Sequence, residues 1–245
     1  MTIEPTEKLA LWMSQPHFGF LEIAHVSGAR HLVVELEHGT FDLSTLDQFL
    51  AFARALGFEP LCKVLAPTTE AIQQALDFGA HGVIIPHILG AEHAAEVTRG
   101  AKYPPVGVRS YAGGRAFDYA RPDSSVFDRM NRERPCYAMI ETAESLAEVE
   151  AIAALDTVDG LFPGPSDLAL ACGRGAYAFN DADRVDLRRI AAAARDAGKP
   201  WIMPAWTPAE RAFAREEGAD MLIVATQIMT LRAGISAMLN AAKAD

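Results

Sequence analysis

Residues 137–170 read YAMIETAESLAEVEAIAALDTVDGLFPGPSDLAL. Two short apolar runs in this stretch each end at a carboxylate. Ala138, Met139 and Ile140 are closed by Glu141, and Gly160, Leu161 and Phe162 by a Pro163-Gly164-Pro165-Ser166-Asp167 turn. Apolar runs of this length before a polar or Gly/Pro break predict strands buried on both faces. A helical pattern over 143–154 lies between them, so the stretch predicts a parallel strand–helix–strand unit. Both carboxylates then sit at carboxyl ends of neighbouring strands, 167 − 141 = 26 positions apart in sequence. Two acids at one sheet end can meet on a single hard cation. The competing assignment is helix capping, since Thr142 and Asp167 both stand where caps stand.

The same grammar recurs outward along the chain. Gly28, Gly79 and Gly218 each follow a helical pattern and precede an apolar run, and Gly57 and Gly198 mark two similar joints. Glycine there fits a helix C-cap, where φ must be positive. Strands are predicted at 10–13, 32–35, 61–64, 83–85, 137–140, 160–162, 201–203 and 221–224. Eight strands alternating with helices predict an α/β fold, a (β/α)8 TIM barrel, with residues 1–245 as one barrel domain. An open doubly wound sheet is the rival, but no GxGxxG follows the first strand. Residues 100–123, rich in Gly, Pro and Arg, form the long irregular connection.

Composition narrows the function. A net charge of −10 without a basic stripe argues against nucleic acid. Arg129, Arg132 and Arg134 are interrupted by acid and read as a solvated face. Cys62, Cys136 and Cys172 show no CxxC spacing, and the first two fall in predicted strands. They are expected to be reduced and structural, in a cytoplasmic protein. No 18-residue apolar run or signal-like segment is read, so no membrane partner is expected.

The barrel prediction tests itself at the strand ends, where such folds carry their sites. Those ends hold Glu35, Glu37, His38, Lys63, His87, Glu141, Ser166, Asp167 and Thr226. Acids, imidazoles and an ammonium thus converge on one rim, which strengthens the metal assignment. Beside a metal and an acid, His38 becomes a candidate general base. Arg109 and Arg115 could meet an anionic substrate tail or stand as surface arginines.

Five motifs, in order and spacing, resemble the HpcH/HpaI aldolase/citrate lyase family over residues 11–239. They are Glu37-His38-Gly39, Leu76-Asp77-Phe78-Gly79-Ala80, Tyr103-Pro104-Pro105-Val106-Gly107-Val108-Arg109, Ile140-Glu141-Thr142 and Gly164-Pro165-Ser166-Asp167-Leu168. The resemblance implies a metal-dependent class II aldolase with Glu141 and Asp167 as metal ligands. It implies His38 as base oriented by Asp77, and Gly164, Pro165 and Ser166 as the wall that holds pyruvate. It also implies a homohexamer, a trimer of dimers, with a C-terminal helix packed on a neighbouring subunit. The sequence departs from the family's commoner pattern at three positions. Lys63 stands for an arginine, Met139 for a glutamine and Glu35 for an aspartate.

The expected chemistry is reversible cleavage of a 4-hydroxy-2-oxo acid to pyruvate, or a close 2-oxo acid, and an aldehyde. Mg²⁺ or Mn²⁺ suits two carboxylates with open positions, with Co²⁺ or Zn²⁺ as substitutes. Lys63 would add charge beside the enolate. Two alternatives remain open at this stage. One is a Schiff-base aldolase through Lys63. The other is a barrel that binds a 2-oxo acid without cleaving it, or decarboxylates oxaloacetate. Finally, Ile228, Leu231, Ile235, Met238 and Leu239 form one stripe on a helix, with only polar residues 1–8 to compete for the same place. This stripe can serve its own barrel or a neighbour's.

Overall fold

A computed structural model describes residues 7–244. The strands are β1 Lys8–Met13, β2 His31–Glu35, β3 Glu59–Lys63, β4 Gly82–Ile85, β5 Cys136–Ile140, β6 Gly160–Pro163, β7 Ile202–Pro204 and β8 Met221–Thr226. All pair in parallel, in the order β6-β5-β4-β3-β2-β1-β8-β7. Leu161 and Trp201 form a lone parallel bridge across the remaining gap, so the sheet closes on itself as a (β/α)8 barrel. The helices are α1 Phe18–Val26, α2 Leu43–Ala55, α3 Thr69–Asp77, α4 Ala91–Thr98, α5 Ser124–Glu133, α6 Ala143–Ala147, α7 Val149–Ala153, α8 Pro165–Ala171, α9 Asp181–Asp196, α10 Pro208–Glu216 and α11 Gln227–Ala244.

Each of the eight predicted strands is present. The five predicted capping glycines, Gly28, Gly57, Gly79, Gly198 and Gly218, all take positive φ just beyond a helix. The helix expected over 143–154 is instead two short helices parted at Glu148. The Glu148 carboxylate accepts the Ala91 N–H at 2.8 Å and so serves the start of α4. Arg129 and Arg132 on α5 are exposed, as a solvated face requires, but Arg134 at the end of α5 is half-buried beside the His81 ring and does not belong to that face. Residues 1–6 of the polar N-terminal stretch lie outside the described residues. Among the described residues no helix is long and apolar enough to cross a membrane.

Period-two alternation sorts the core into two shells. Leu32, Val34, Val83, Ile85, Ala138 and Ile140 face outward and pack under the helices. Val33, Leu61, Ile84, Tyr137, Met139, Phe162, Ile202 and Ile223 fill the barrel interior. The parity then decides the rim. Glu35 is two beyond Val33, Lys63 two beyond Leu61, and Glu141 two beyond Met139, so each leaves its strand on the inner side. The interior is apolar below and polar at the top.

The last helix departs from an ordinary barrel. Ile228, Leu231, Ile235, Met238 and Leu239 are 42–71% exposed, so the stripe does not close onto its own barrel. Only Gln227 at the start of α11 is buried. A groove of about 620 Å³ lies on the outer side of β1 and α1, with Leu9, Leu11, Phe20, Ile23 and Ala24 in its wall.

Candidate active site

At the carboxyl ends of the strands lies an open cavity of about 180 Å³. Its wall contains Glu35, His38, Lys63, Gly164, Pro165, Ser166 and Asp167, with Trp12, Met139, Phe162, Pro204 and Trp206. Of the residues singled out from sequence, Glu35, His38, Lys63, Met139, Gly164, Pro165, Ser166, Asp167 and Thr226 line this cavity, while Glu141 lies outside its wall.

The turn after β2 is built around Glu35. Its Oε1 accepts the Glu37 N–H at 2.9 Å and the His38 N–H at 3.3 Å, folding the chain back over the strand end. A Cβ at Gly39 would overlap the Glu35 carbonyl oxygen and stand 2.9 Å from the Ser14 carbonyl oxygen, so only glycine lets this turn close. Lys63 is 3% exposed. Its ammonium is 3.3 Å from Glu35 Oε1 and also pairs with Glu37 Oε2. The longer Glu35 side chain therefore does two tasks: it holds the turn and it anchors the lysine.

Glu37 joins the lysine to two imidazoles. Its Oε1 is 2.7 Å from His87 Nε2 and 3.3 Å from His38 Nε2. Burial alone would push the Glu37 carboxyl up, but hydrogen bonds from Lys63 and His87 outweigh it and hold the carboxyl below its ordinary range. His87 holds a left-handed backbone at φ 56°, a conformation costly for a non-glycine residue. That geometry directs the His87 N–H to Glu141 Oε1 at 2.6 Å while its ring meets Glu37. Sequence reading placed His87 on the rim but gave it no role, because nothing in the residue order signals positive φ there.

Glu141 is 3% exposed, and no lysine or arginine among the described residues pairs with it. Burial raises its pKa, the His87 contacts and the Lys63 charge oppose the rise, and the nearby Asp167 charge adds to it. Such a carboxylate calls for positive charge. Asp167 lies in the first turn of α8 and is exposed. The cap of that helix is Gly164, which makes no side-chain capping bond, so the capping assignment fails for Asp167. It holds for Thr142, which caps α6 in a reciprocal box with Ser145. A Cβ at Gly164 would stand 2.7 Å from Glu141 Cβ, so glycine lets the α8 turn press against the buried acid. No group of three or more His, Cys, Asp or Glu able to hold a metal occurs among the described residues. The donors that fit a hard cation are the pair Glu141 and Asp167, which leave open positions for substrate oxygens and water as Mg²⁺ prefers.

Asp77 does not reach the His38 of its own chain. It ends α3, whose following turn leads into the start of β4, at the barrel end opposite the rim. Its carboxylate accepts Arg109 Nη2 at 2.7 Å, and Arg109 stacks over Tyr103 at 4.7 Å. Within this chain, Glu37 is the acid that meets the His38 ring. The other arginine singled out, Arg115, pairs with Asp47 and donates to the Phe78 carbonyl at 2.9 Å.

Comparison with known proteins follows this geometry. The family model described as HpcH/HpaI aldolase/citrate lyase matches residues 8–230. The 4-hydroxy-2-oxovalerate aldolase of Novosphingobium aromaticivorans is 33% identical over 199 residues, 78% of this chain and 74% of that protein. The 2-keto-3-deoxy-L-rhamnonate aldolase of Klebsiella pneumoniae is 30% identical over 244 residues, 97% of this chain and 90% of that one. A crystal structure of an HpcH/HpaI aldolase/citrate lyase family protein from Burkholderia cenocepacia superposes with a TM-score of 0.88 at 27% identity, covering 97% of this chain and 95% of that one.

Proposed function

The chain belongs to the HpcH/HpaI aldolase/citrate lyase family, and from that premise we propose that it cleaves a 4-hydroxy-2-oxo acid reversibly into pyruvate, or a close 2-oxo acid, and an aldehyde, using a divalent cation held by Glu141 and Asp167. The observation that carries this reading is a buried Glu141 that no lysine or arginine among the described residues pairs with, near enough to Asp167 to feel its charge, and an exposed Asp167 carboxylate that caps no helix. When bound, Mg²⁺ or Mn²⁺ supplies the Lewis acidity that favours an enolate at the 2-oxo group.

The chain's own residues supply the remaining parts. The Gly164-Pro165-Ser166 turn forms the wall for the 2-oxo acid, and the first N–H groups of α8 are free of side-chain caps. His38 stands at the cavity edge as the base for the 4-hydroxyl proton, its Nε2 facing Glu37. Lys63 places a fixed positive charge at the cavity wall. An amine engaged by both Glu35 and Glu37 is not free to attack a ketone, so the Schiff-base alternative finds no support.

Dialysis against a chelator should abolish cleavage, and Mg²⁺ or Mn²⁺ should restore it; full activity after chelation would overturn the reading. His38→Ala should slow cleavage by about 10²–10⁴-fold, the range for a lost general base. Calorimetry with Mn²⁺ should show unchanged metal affinity in that variant, and an equal loss of metal would make His38 a ligand.

The reading extends to assembly, a homo-oligomer built as a trimer of dimers with α11 exchanged between copies. The exposed stripe on α11 and the apolar groove beside β1 and α1 support it. A reducing, cytoplasmic setting fits Cys62, Cys136 and Cys172, which are unpaired; burial pushes the Cys136 thiol up to about 12.

A further inference from the structure

Just beyond β4, His87 holds a left-handed backbone at φ 56°. A non-glycine residue stays there only where its surroundings hold it. Three contacts do so. The His87 N–H donates to Glu141 Oε1 at 2.6 Å, the Thr142 hydroxyl donates to the Ile88 carbonyl at 2.9 Å, and the His87 ring meets Glu37 at 2.7 Å. The first two rivet the main chain after β4 to the residues that close β5, and neither uses the imidazole. With β4 before it and Ile88 after it both held, a return of His87 to negative φ must displace the N–H that Glu141 accepts.

That bond also divides the two oxygens of Glu141. Oε1 is taken by the His87 N–H, and Oε2 accepts no hydrogen bond among the described residues. Oε2 faces the other way, since a Cβ at Gly164 would stand 2.9 Å from it. Gly164 caps α8, and Asp167 lies in the first turn of that helix. The unengaged oxygen is therefore turned toward the segment that carries the second acid. A short N–H bond to a carboxylate is of the strong, charge-assisted kind, so it fixes how the carboxylate is rotated as well as where it sits.

We propose that the left-handed main chain of His87 positions the cation site: its N–H holds Glu141 Oε1, so that Oε2 is the oxygen presented, with Asp167, to the divalent ion. This rests on the metal-dependent reading above and names the residue that orients one of its two ligands. His87 is a positioning residue, because it acts through Glu141. Partners that orient a metal ligand in this way are worth about 10–100-fold in metal affinity. The ring has a separate task, which is to meet Glu37 beside Lys63.

The test separates backbone from ring, in the full chain, by calorimetry with Mn²⁺. Asparagine tolerates the left-handed region and keeps the N–H, so His87→Asn should retain parent-like Mn²⁺ affinity. Valine also keeps the N–H but is stiff and resists positive φ, so His87→Val should bind Mn²⁺ about 10–100-fold more weakly. His87→Ala, with milder strain, should fall between the two and takes the place of His87→Val if that variant does not fold. Thermal melting of the metal-free proteins reports folding separately. Rescue by asparagine, with loss in the other folded variants, supports the proposal. Parent-like affinity in folded His87→Val and His87→Ala overturns the proposal alone. Lost affinity in His87→Asn also overturns it, because the ring would then be the orienting group. A parent chain that binds no Mn²⁺ overturns the metal reading, and the proposal falls with it.

Discussion

Asp167→Ala is expected to remove Mn²⁺ binding and nearly all cleavage while leaving the fold intact. The carboxylate is exposed at the first turn of α8 and caps nothing, so its loss breaks no capping bond among the described residues. It also relieves the charge that raises Glu141. Thermal stability should therefore be equal to the parent's or slightly higher. Supporting residues around a metal are worth about 10–100-fold in affinity. A direct ligand should exceed that range. Calorimetry with Mn²⁺ checks it, and parent-like affinity in Asp167→Ala would remove the residue from the metal site. Glu141→Ala should lose the metal as well, but it also deprives the His87 N–H of its acceptor. Some loss of stability is therefore expected for Glu141→Ala.

Truncation after Thr226 should give smaller and less stable particles than the full chain. Ile228, Leu231, Ile235, Met238 and Leu239 are all exposed in the single chain. Full burial of such a side chain is worth about 1.5–3 kcal/mol, so five of them outweigh the ordering cost of docking one helix. Ile235→Asp should disperse the assembly while leaving the barrel folded, which separates lost docking from failed folding. Sedimentation reads both variants. A full-length chain that sediments as a monomer at micromolar concentration would overturn the exchange.

The sequence carried the fold because five of its helix–strand joints repeat one physical pattern. A glycine that turns the chain at positive φ precedes an apolar run, and the polar residues wait at the run's far end. The period of two even assigns Glu35 and Lys63 to the interior, from Val33 and Leu61. Asp77 shows what one chain's sequence pattern can place and what it leaves to the assembly. Its position just before Gly79, at the end of a helix, places it away from the His38 of its own chain, so a role for it at His38 would have to be played across a subunit contact. His87 and the break at Glu148 were not legible in the same way. Each depends on one backbone angle or one long-range acceptor, which local composition does not encode.

The lone bridge between Leu161 and Trp201 has a consequence for how the cavity opens. Every other strand pair in the barrel is held by a ladder of three or more residues. This seam is therefore the place where least hydrogen bonding is lost when neighbouring strands part. Pro163 and Gly164 leave β6 on one side of it, and Pro204 and Trp206 leave β7 on the other. Parting at the seam would widen the mouth between β6 and β7 while Glu35, Lys63 and Glu141, carried at the ends of β2, β3 and β5, keep their spacing; Asp167, just after β6, stands at the border of the two arcs.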